Sequence, residues 1–471
     1  MIDTYDLIII GAGSAGLMAA EFAQKLGKKV ALIEKTKVGG DCTWTGCVPS
    51  KALIRVAQVA HTVRQAHEFG LNNTLATVDM ARVHAYVQGA ITDIYAEETP
   101  EQLRAKGISV FLGAAQFVDP TTIQVAGQKM SAKKMLITTG AQPIVPPIPG
   151  LRGTPYLTYE NIFDNQKLPQ RLLVMGAGPV GVELAQAYRR LGAEVTLIDT
   201  GILPNQEPEV GALMAELFNQ ENIQFLPGLV TRVTYAQDCF SLTVDGHENV
   251  VQGDMLLVAV GRRPGNLTAL QLEKAGVQYD HHGIHVNDHL QTSNRDIYAA
   301  GDCTGDFQFT HYAGWQGVQA VRNALLPGKD QGKKATLPQA VFTDPEIAVV
   351  GLTEAVARQQ FGDGIVVAMR PLARIDRART DDQQAGFIKI IHRPGATVLG
   401  ATIVAPHAGE MINELTLAME QELSLEDLAH IIHVYPTYAI GIQQMAAETA
   451  MDAFLDSTLW KVAQKIPASF I

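Results

Sequence analysis

The feature that most constrains the fold is a dinucleotide-binding pattern that occurs twice in this chain of 471 residues. In each copy a short apolar run, typical of a buried parallel strand, leads into G-x-G-x-x-G, a helical segment, a second apolar run and an acid. Such glycines let a pyrophosphate approach a helix N-terminus, and the acid can accept hydrogen bonds from ribose hydroxyls. The glycines and acids are Gly11, Gly13, Gly16 and Glu34 in the first copy, and Gly176, Gly178, Gly181 and Asp199 in the second. Two complete copies predict two Rossmann-like domains and two bound dinucleotides, whereas a degenerate duplicate would have lost some of these residues.

The acid of the second copy indicates which nicotinamide cofactor is used. Asp199 would repel a 2′-phosphate and accept a hydrogen bond from a free 2′-hydroxyl. Thr200 and Gly201, which follow it, offer no arginine to hold a phosphate. We therefore expect NAD(H) to be preferred over NADP(H).

A pair of cysteines five residues apart, Cys42 and Cys47, follows the first copy. Pro49 suits the first turn of the helix that the next apolar run predicts, and the positive end of that helix would lower the pKa of a thiol. A zinc site would need two further ligands, and His61 and His67 lie on an amphipathic run instead. The pattern favours a redox-active Cys42–Cys47 disulfide beside the first dinucleotide and predicts no metal. The other two cysteines, Cys239 and Cys303, stand alone and are interpreted as structural.

Composition narrows the class of protein. The chain has 48 acidic and 37 basic side chains, a formal net charge of −11, and 47% hydrophobic residues. This balance disfavours nucleic acid as a partner, and the length allows about three domains. Since no apolar run approaches the ~18 residues of a membrane span, we expect a cytoplasmic enzyme of small molecules with no membrane partner.

Further motifs, together with the cysteine element G-G-D-C-x4-C-V-P-S-K at residues 39–51, are similar to those of one family. The chain resembles class I pyridine nucleotide–disulfide oxidoreductases, the family of dihydrolipoamide dehydrogenase, glutathione reductase and mercuric reductase, from Tyr5 to about Gln444. The Thr-Trp-Thr between the cysteines, with Tyr435, resembles mercuric reductase-like members. The other motifs are L-I-T-T-G at 136–140, V-G-R-R-P at 260–264, I-Y-A-A-G-D at 297–302 and V-F-T-D-P-E-I-A at 341–348.

The resemblance implies an α/β fold with FAD and NAD domains of the Rossmann type and a C-terminal α+β dimerisation domain. The implied segments are 1–149 and 277–337 for FAD, 150–276 for NAD and 338–471 for the interface domain. The protein would be a homodimer in which the partner's C-terminal domain completes each active site.

The resemblance also assigns roles to particular residues. Cys47 would be the flavin-proximal, charge-transfer sulfur, and Cys42 the interchange sulfur that meets the substrate. Lys51 and Glu183 would form a pair beside the flavin. Asp302 would hold the ribityl oxygens of FAD. Further cofactor-binding residues implied by the motifs are Thr139, Gly140, Gly261 and Gly301.

The chain departs from the family at the position that decides the substrate. The dihydrolipoamide and glutathione enzymes carry His-Pro-Thr with a glutamate five residues after the histidine, a pair that moves protons. Here Tyr435 and Ile440 occupy those places, and a phenol with a pKa of ~10 is a poor base at neutral pH. His433 could replace the missing base, but a packing role is equally open.

Mercuric reductases also have tyrosine there, but they usually add a C-terminal cysteine pair, which is missing from the final residues Pro467 to Ile471. The sequence therefore predicts an enzyme that passes electrons from NADH through FAD and the Cys42–Cys47 disulfide to a small electrophile, mercuric reductase-like. The alternatives are a dihydrolipoamide dehydrogenase and a redox-sensing flavoprotein of low turnover.

Overall fold

The protein is described here by a computed structural model that covers residues 3–72, 77–395 and 397–463. The C-terminal residues 467–471, on which the expectation about a cysteine pair falls, lie outside the described residues. The chain divides into two compact units. One contains the described residues of Met1–Thr200 and Glu221–Lys334, and the other those of Gly201–Gln220 and Ala335–Ile471. This division into two units does not test the layout of four segments expected from the sequence, and that layout stays a prediction.

The first part of the chain begins with a strand, a helix and a second strand, as the first dinucleotide pattern predicts. Its elements are β1 (Asp3–Ile10), α1 (Ser14–Lys25), β2 (Val30–Glu34), α2 (Gly40–Trp44), α3 (Cys47–Gln65), α4 (Met80–Tyr95), α5 (Pro100–Ala105), β3 (Ser109–Leu112), β4 (Ala115–Asp119), β5 (Thr122–Val125), β6 (Gln128–Ile137) and β7 (Ala141–Pro143).

The second pattern opens the next part of the chain. Its elements are β8 (Arg171–Met175), α6 (Pro179–Leu191), β9 (Glu194–Asp199), α7 (Pro208–Gln220), β10 (Ile223–Pro227), β11 (Val230–Ala236), β12 (Cys239–Val244), β13 (Val251–Gly253), β14 (Met255–Val258), β15 (Arg262–Pro264), β16 (Ile297–Ala299) and α8 (Thr310–Leu325).

Two sheets of the first unit carry the dinucleotide patterns. In the larger sheet β1 lies between β2 and β6 in parallel register, and β16 extends it by pairing with the end of β6. Its central strands are buried on both faces, which is why they appear as continuous apolar runs. The second sheet is parallel in the order β10-β9-β8-β14. The carboxyl edge of each sheet therefore receives one glycine-rich loop.

The second unit is an α+β structure. Its five strands form an antiparallel sheet in the order β17-β18-β21-β20-β19, and α11 packs against β18 and β21. The elements are β17 (Gln339–Val341), β18 (Glu346–Gly351), α9 (Glu354–Phe361), β19 (Val366–Pro371), α10 (Asp376–Thr380), β20 (Phe387–His392), β21 (Val398–Ala405), α11 (Ala408–Glu420), α12 (Leu425–Ala429), α13 (Ile440–Asp456) and α14 (Thr458–Ala463). The predicted combination of Rossmann-like sheets with a C-terminal α+β part is confirmed. Within the described ranges, none of the helices has the length and apolarity that crossing a bilayer requires.

A buried ion-pair cluster ties the second unit together. The ammonium of Lys389, only 2% exposed, contacts a carboxylate oxygen of Glu207 at 3.1 Å, of Glu209 at 2.8 Å and of Glu354 at 2.9 Å. Burial lowers the pKa of Lys389, but the hydrogen bonds to the three carboxylates outweigh it and raise the pKa overall. The segment that precedes α7 is thereby held to β20 and α9.

Replacing the central lysine should destabilise this unit. Lys389→Met leaves three carboxylates around an apolar side chain, and we expect the free energy of unfolding to fall by about 3–5 kcal/mol. The matched control is Lys461→Met, because the ammonium of Lys461 is 61% exposed and lies 3.6 Å from Asp456. Its loss should cost at most about 1 kcal/mol. Urea denaturation measures both, and equal losses would contradict a structural role for the cluster.

Candidate active site

The first glycine-rich loop is shaped for close approach of a phosphate group. Gly11 has a φ of +109°, and a Cβ on Gly16 would overlap the carbonyl oxygen of Gly11, so α1 can pack tightly against the end of β1 only with glycine there. The helix begins after Gly13 without a side-chain cap, which leaves its first N–H groups for an anion. The second loop repeats these features at Gly176, Gly178 and Gly181. Both loops therefore fit a dinucleotide.

The two predicted acids also fix the glycine-rich loops through hydrogen bonds. Glu34 accepts a hydrogen bond from the backbone N–H of Ala12 at 2.9 Å, and Asp199 accepts one from Ala177 at 2.7 Å. The second carboxylate oxygen of each acid accepts from the chain just after it, in the case of Asp199 from the N–H of Thr200 at 2.7 Å. Each carboxylate is thus fixed at a strand end, where its remaining lone pairs can meet a ribose.

The remaining predicted cofactor residues gather at the same edge of the larger sheet. Thr139 and Gly140 follow β6, and Gly301 follows its neighbour β16. The N–H of Gly301 donates to the buried side-chain oxygen of Gln316 in α8 at 2.9 Å. Gly261 immediately precedes β15, which pairs with β7. The structure therefore brings these residues to the mouth of the first glycine loop, as a site for an extended dinucleotide such as FAD requires.

The two cysteines lie on consecutive helices. Cys47 is the first residue of α3, the helix that the sequence predicted, whereas Cys42 belongs to the short helix α2, which the sequence did not predict. Both are free thiols here. The hydrogen bond from Cys42, a second one from Thr310 and the charge of Lys51 outweigh burial and lower the pKa of Cys47 to about 6. The pKa of Cys42 is raised, chiefly by the same hydrogen bond to Cys47 and by burial. In the reduced pair, Cys47 is therefore the thiolate and Cys42 keeps its proton.

Thr310 is a neighbour of the thiolate that sequence reasoning missed. Its hydroxyl oxygen lies 3.3 Å from the sulfur of Cys47, and it is the first residue of α8. The two residues are 263 positions apart, so no local pattern could reveal their contact. Thr310 adds a neutral hydrogen-bond donor to the charge that Lys51 supplies.

Lys51 and Glu183 form the predicted pair. The ammonium of Lys51 in α3 lies 2.8 Å from the carboxylate of Glu183 in α6, whose side chain is only 8% exposed. The pair joins the helix of the dithiol to the helix that follows the second glycine loop, so one charge contact links the surroundings of the two predicted dinucleotides.

The loop between the cysteines is anchored by an aromatic side chain. The indole N–H of Trp44 donates to the carbonyl of Val38 at 2.7 Å, and its ring contacts Tyr95 with the centroids 4.8 Å apart. The hydroxyl of Thr43 donates to the carboxylate of Glu98 at 3.1 Å. Sequence reasoning noted Thr43 and Trp44 only as markers of resemblance, and nothing near Glu98 signalled its position.

One arginine ties the dithiol loop to a predicted cofactor residue. The guanidinium of Arg262 lies 2.8 Å from Asp41 and 2.9 Å from Asp302, and Arg262 also approaches the hydroxyl of buried Tyr159 at 3.4 Å. Burial raises the pKa of Asp302, while the charge of Arg262 lowers it. Asp41 directly precedes Cys42, and Arg262 belongs to the V-G-R-R-P motif, so both were visible in the sequence although their contact was not.

The two base candidates lie in the second unit. The hydroxyl of Tyr435 donates to the carboxylate of Asp376 at 2.9 Å, and this bond raises the pKa of the phenol further. His433 has its Nδ1 3.0 Å from the carbonyl of Ile431 and its Nε2 2.8 Å from a carboxylate oxygen of Glu414. Both ring nitrogens therefore face acceptors inside the fold, and the ring itself is nearly buried. This arrangement favours the packing role for His433.

Comparisons with known proteins agree with this geometry. A family model described as pyridine nucleotide-disulphide oxidoreductase matches residues 5–317, and the dimerisation domain of the same family matches residues 337–446. A mercuric reductase of Staphylococcus aureus is 36% identical over 94% of this chain and 82% of its own length. A dihydrolipoyl dehydrogenase of Thermus scotoductus is 36% identical over 94% and 97%. A copper(II) complex of the HOCl-induced flavoprotein disulfide reductase RclA from Escherichia coli has a TM-score of 0.83 at 27% identity and covers 95% of this chain and 100% of that chain.

Two dinucleotide cradles with a cysteine pair beside the first define an FAD-dependent enzyme that exchanges electrons between a pyridine nucleotide and a disulfide. The chain belongs to the pyridine nucleotide-disulphide oxidoreductase family, and the resemblance stated from the sequence is confirmed.

The asymmetry of the dithiol can be measured directly. The rate of alkylation of Cys47 by iodoacetamide in the reduced protein should rise with pH and reach half its maximum near pH 6, because the thiolate is the nucleophile and exists above its pKa. Cys42→Ser puts a hydroxyl in place of the thiol donor and should move this midpoint, whereas Cys239→Ser, at a distant position in the sequence, should leave it unchanged. A midpoint at the usual thiol pKa of about 8.5 would contradict the assignment of the thiolate to Cys47.

Proposed function

We propose that this enzyme uses NADH to reduce a small electrophilic acceptor, in particular a soft metal cation, through the Cys42–Cys47 pair. FAD, when bound at the first glycine loop, supplies the two-electron chemistry between the nicotinamide and the cysteines. For a divalent mercury ion the overall balance would be NADH and Hg(II) giving NAD⁺, a proton and elemental mercury. The observation that carries the proposal concerns the two base candidates. Both Tyr435 and His433 are hydrogen-bonded to groups within their own unit.

The chain's own residues would divide the work between the two thiols. Cys47 keeps the thiolate because Cys42, Thr310 and Lys51 stabilise it. Cys42, with the raised pKa, holds the proton of the reduced pair and would meet the acceptor first. Both sulfurs are soft ligands of the kind that mercury and copper ions prefer over oxygen. The hydrogen bond that Cys42 donates to Cys47 keeps the two sulfurs next to each other, as formation of a disulfide between them requires.

Proton handling argues against a thiol or disulfide substrate. A disulfide reductase must protonate a leaving thiolate, and a dithiol oxidase must accept protons, which a positioned base accelerates. Tyr435 carries a phenol whose pKa the bond to Asp376 raises, and His433 directs both nitrogens at acceptors. A metal ion that binds the thiol of Cys42 favours its deprotonation directly, so the proton can pass to water without such a base. The name of one relative, a mercuric reductase, supports a metal acceptor, and the copper(II) complex of a similar flavoprotein reductase supports the binding of a metal ion.

The equally similar dihydrolipoyl dehydrogenases keep the second candidate open. A low-turnover redox sensor is the third, since a stable Cys47 thiolate beside Cys42 would also suit a switch. We further propose, from the matched dimerisation domain, that two copies associate and that the C-terminal part of the partner completes each active site.

Steady-state NADH oxidation against Hg(II), Cu(II), quinones, lipoamide and glutathione disulfide distinguishes these candidates. The proposal expects turnover with the metal ions and with quinones, and weak turnover with both disulfides. Fast turnover of lipoamide alone would establish the second candidate, and negligible turnover with every acceptor would favour the sensor.

The preference for NADH should depend on the acid after β9. Wild-type enzyme should show a kcat/KM for NADH at least about tenfold above that for NADPH, because 1.4 kcal/mol of repulsion between Asp199 and a 2′-phosphate gives that factor. Asp199→Ala should reduce the ratio. Because this change also removes the hydrogen bond to Ala177, Asp199→Asn serves as the variant that keeps an acceptor for it. A wild-type preference for NADPH would contradict the assignment.

The absence of a positioned base should appear in the pH profile. Oxidation of dihydrolipoamide at pH 7 should be about 10²–10⁴-fold slower than a His–Glu pair would allow, and it should rise towards higher pH as the substrate supplies its own thiolate. The double change Tyr435→His with Ile440→Glu should raise this rate, while metal-dependent turnover should change little. Rapid dihydrolipoamide turnover at pH 7 that His433→Ala abolishes would instead identify His433 as a displaced base.

A further inference from the structure

A carboxylate is associated with each of the two residues next to the interchange thiol in the chain. Asp41 immediately precedes Cys42, and Thr43, which follows it, donates its hydroxyl to Glu98 at 3.1 Å. The charge of Glu98 is among the causes that raise the pKa of Cys42, so this carboxylate is close enough to act on the sulfur. Both acids are partly exposed, which keeps them accessible to an approaching ion.

Basic groups near the loop do not offset all of this negative charge. Arg262 is shared between Asp41 at 2.8 Å and Asp302 at 2.9 Å, so one positive charge faces two negative ones. Glu160 adds a further carboxylate near Asp41. Burial raises the pKa of Glu160, and the negative charge of Asp41 raises it further.

Three lysines lie near the loop or near the acids beside it. Lys51 is engaged by Glu183 at 2.8 Å, and Lys106 by Glu21 at 2.5 Å. Lys37 lies over the ring of Trp44, 4.3 Å from its centroid. Lys51 and Lys106 are thus matched by carboxylates. Among the groups named here, the remaining carboxylates Asp41, Asp302, Glu160 and Glu98 outnumber the remaining cations Arg262 and Lys37.

We propose that Asp41 and Glu98 make Cys42 selective for cationic acceptors over anionic ones. This inference rests on the proposed function and deepens it, because it names a charge class for the acceptor. A metal cation is attracted to the thiol, whereas a polyanionic disulfide such as glutathione disulfide is repelled. The two carboxylates act here as specificity-determining residues, and neither needs to touch the reacting sulfur.

Two thiol reagents of equal chemistry and opposite charge test this directly. Trimethylammonioethyl and sulfonatoethyl methanethiosulfonate both convert a thiolate into a mixed disulfide and release methanesulfinate. The reduced holoenzyme is used in a Cys47→Ser background, because the thiol of Cys47 would otherwise expel the label and form the Cys42–Cys47 disulfide. Mass spectrometry assigns the label to Cys42. The ratio of the two rates is divided by the same ratio for 2-mercaptoethanol, which removes the intrinsic reactivity of the reagents.

The corrected cation-to-anion ratio should exceed one and should fall as salt is raised, since screening weakens the field of the carboxylates. Asp41→Asn and Glu98→Gln should each lower it by about fivefold at low ionic strength, because a nearby unit charge acts in opposite directions on the two reagents. Glu98→Gln retains an acceptor for Thr43, and Asp41→Glu, which keeps the charge, should retain the ratio. The matched control is Glu248→Gln, the same loss of charge at an exposed position between β12 and β13.

A corrected ratio near one, or a ratio that both substitutions leave unchanged, overturns the inference. So does an equal fall in the Glu248→Gln control. These outcomes concern only the reactivity of Cys42 and do not involve an acceptor. If the ratio behaves as expected but the acceptor panel shows turnover with disulfides alone, the proposed function fails while the charge selectivity of Cys42 stands.

Discussion

The structure of the dinucleotide sites depends on a hydrogen bond between a strand-end carboxylate and the backbone of a glycine-rich loop. Glu34 makes it to Ala12 and Asp199 to Ala177. A loop built of glycines has little conformational preference of its own, so a charged acceptor at the neighbouring strand end gives it one defined shape. The N-termini of α1 and α6 are thereby directed at the same kind of site. The acid that is predicted to bind the ribose therefore also shapes the loop that is predicted to hold the pyrophosphate.

This double role is consistent with the position of the strand end. The sequence predicted a strand that begins at Lys29 and is ended by Glu34, and β2 extends from Val30 to Glu34. The glutamate remains in the ladder, paired with Leu112 of β3, and is itself buried. The hydrophobic pattern marks the apolar part of the strand. The last residue of the strand is Glu34, whose carboxylate has to lie close enough to accept a hydrogen bond from Ala12.

The fold was predictable because its determinants are local. Each fingerprint places strand, turn, helix and acid within about thirty residues, and each observed element follows that order. The core of the site was predictable for the same reason, since Cys42, Cys47 and Lys51 lie in one motif. Thr310, Arg262 and Glu98 were not assigned roles, because their contacts with the dithiol segment span 263, 221 and 55 residues. Only the tertiary fold brings such residues together.

The chemistry of the dithiol follows from the unequal surroundings of two identical side chains. Cys47 begins a helix and meets Lys51 and the hydroxyl of Thr310, all of which favour a thiolate. Cys42 follows Asp41, lies near Glu98, and donates a hydrogen bond to the neighbouring sulfur. The hydrogen bond between the sulfurs makes these two tendencies support each other, because a proton held by Cys42 stabilises the charge on Cys47. If Cys42 is the sulfur that binds the acceptor, as proposed, the acceptor must displace this proton, and the nearby carboxylates would assist a cation and oppose an anion. The charges around the dithiol thus favour one sulfur as the thiolate and, on this proposal, one charge class of acceptor.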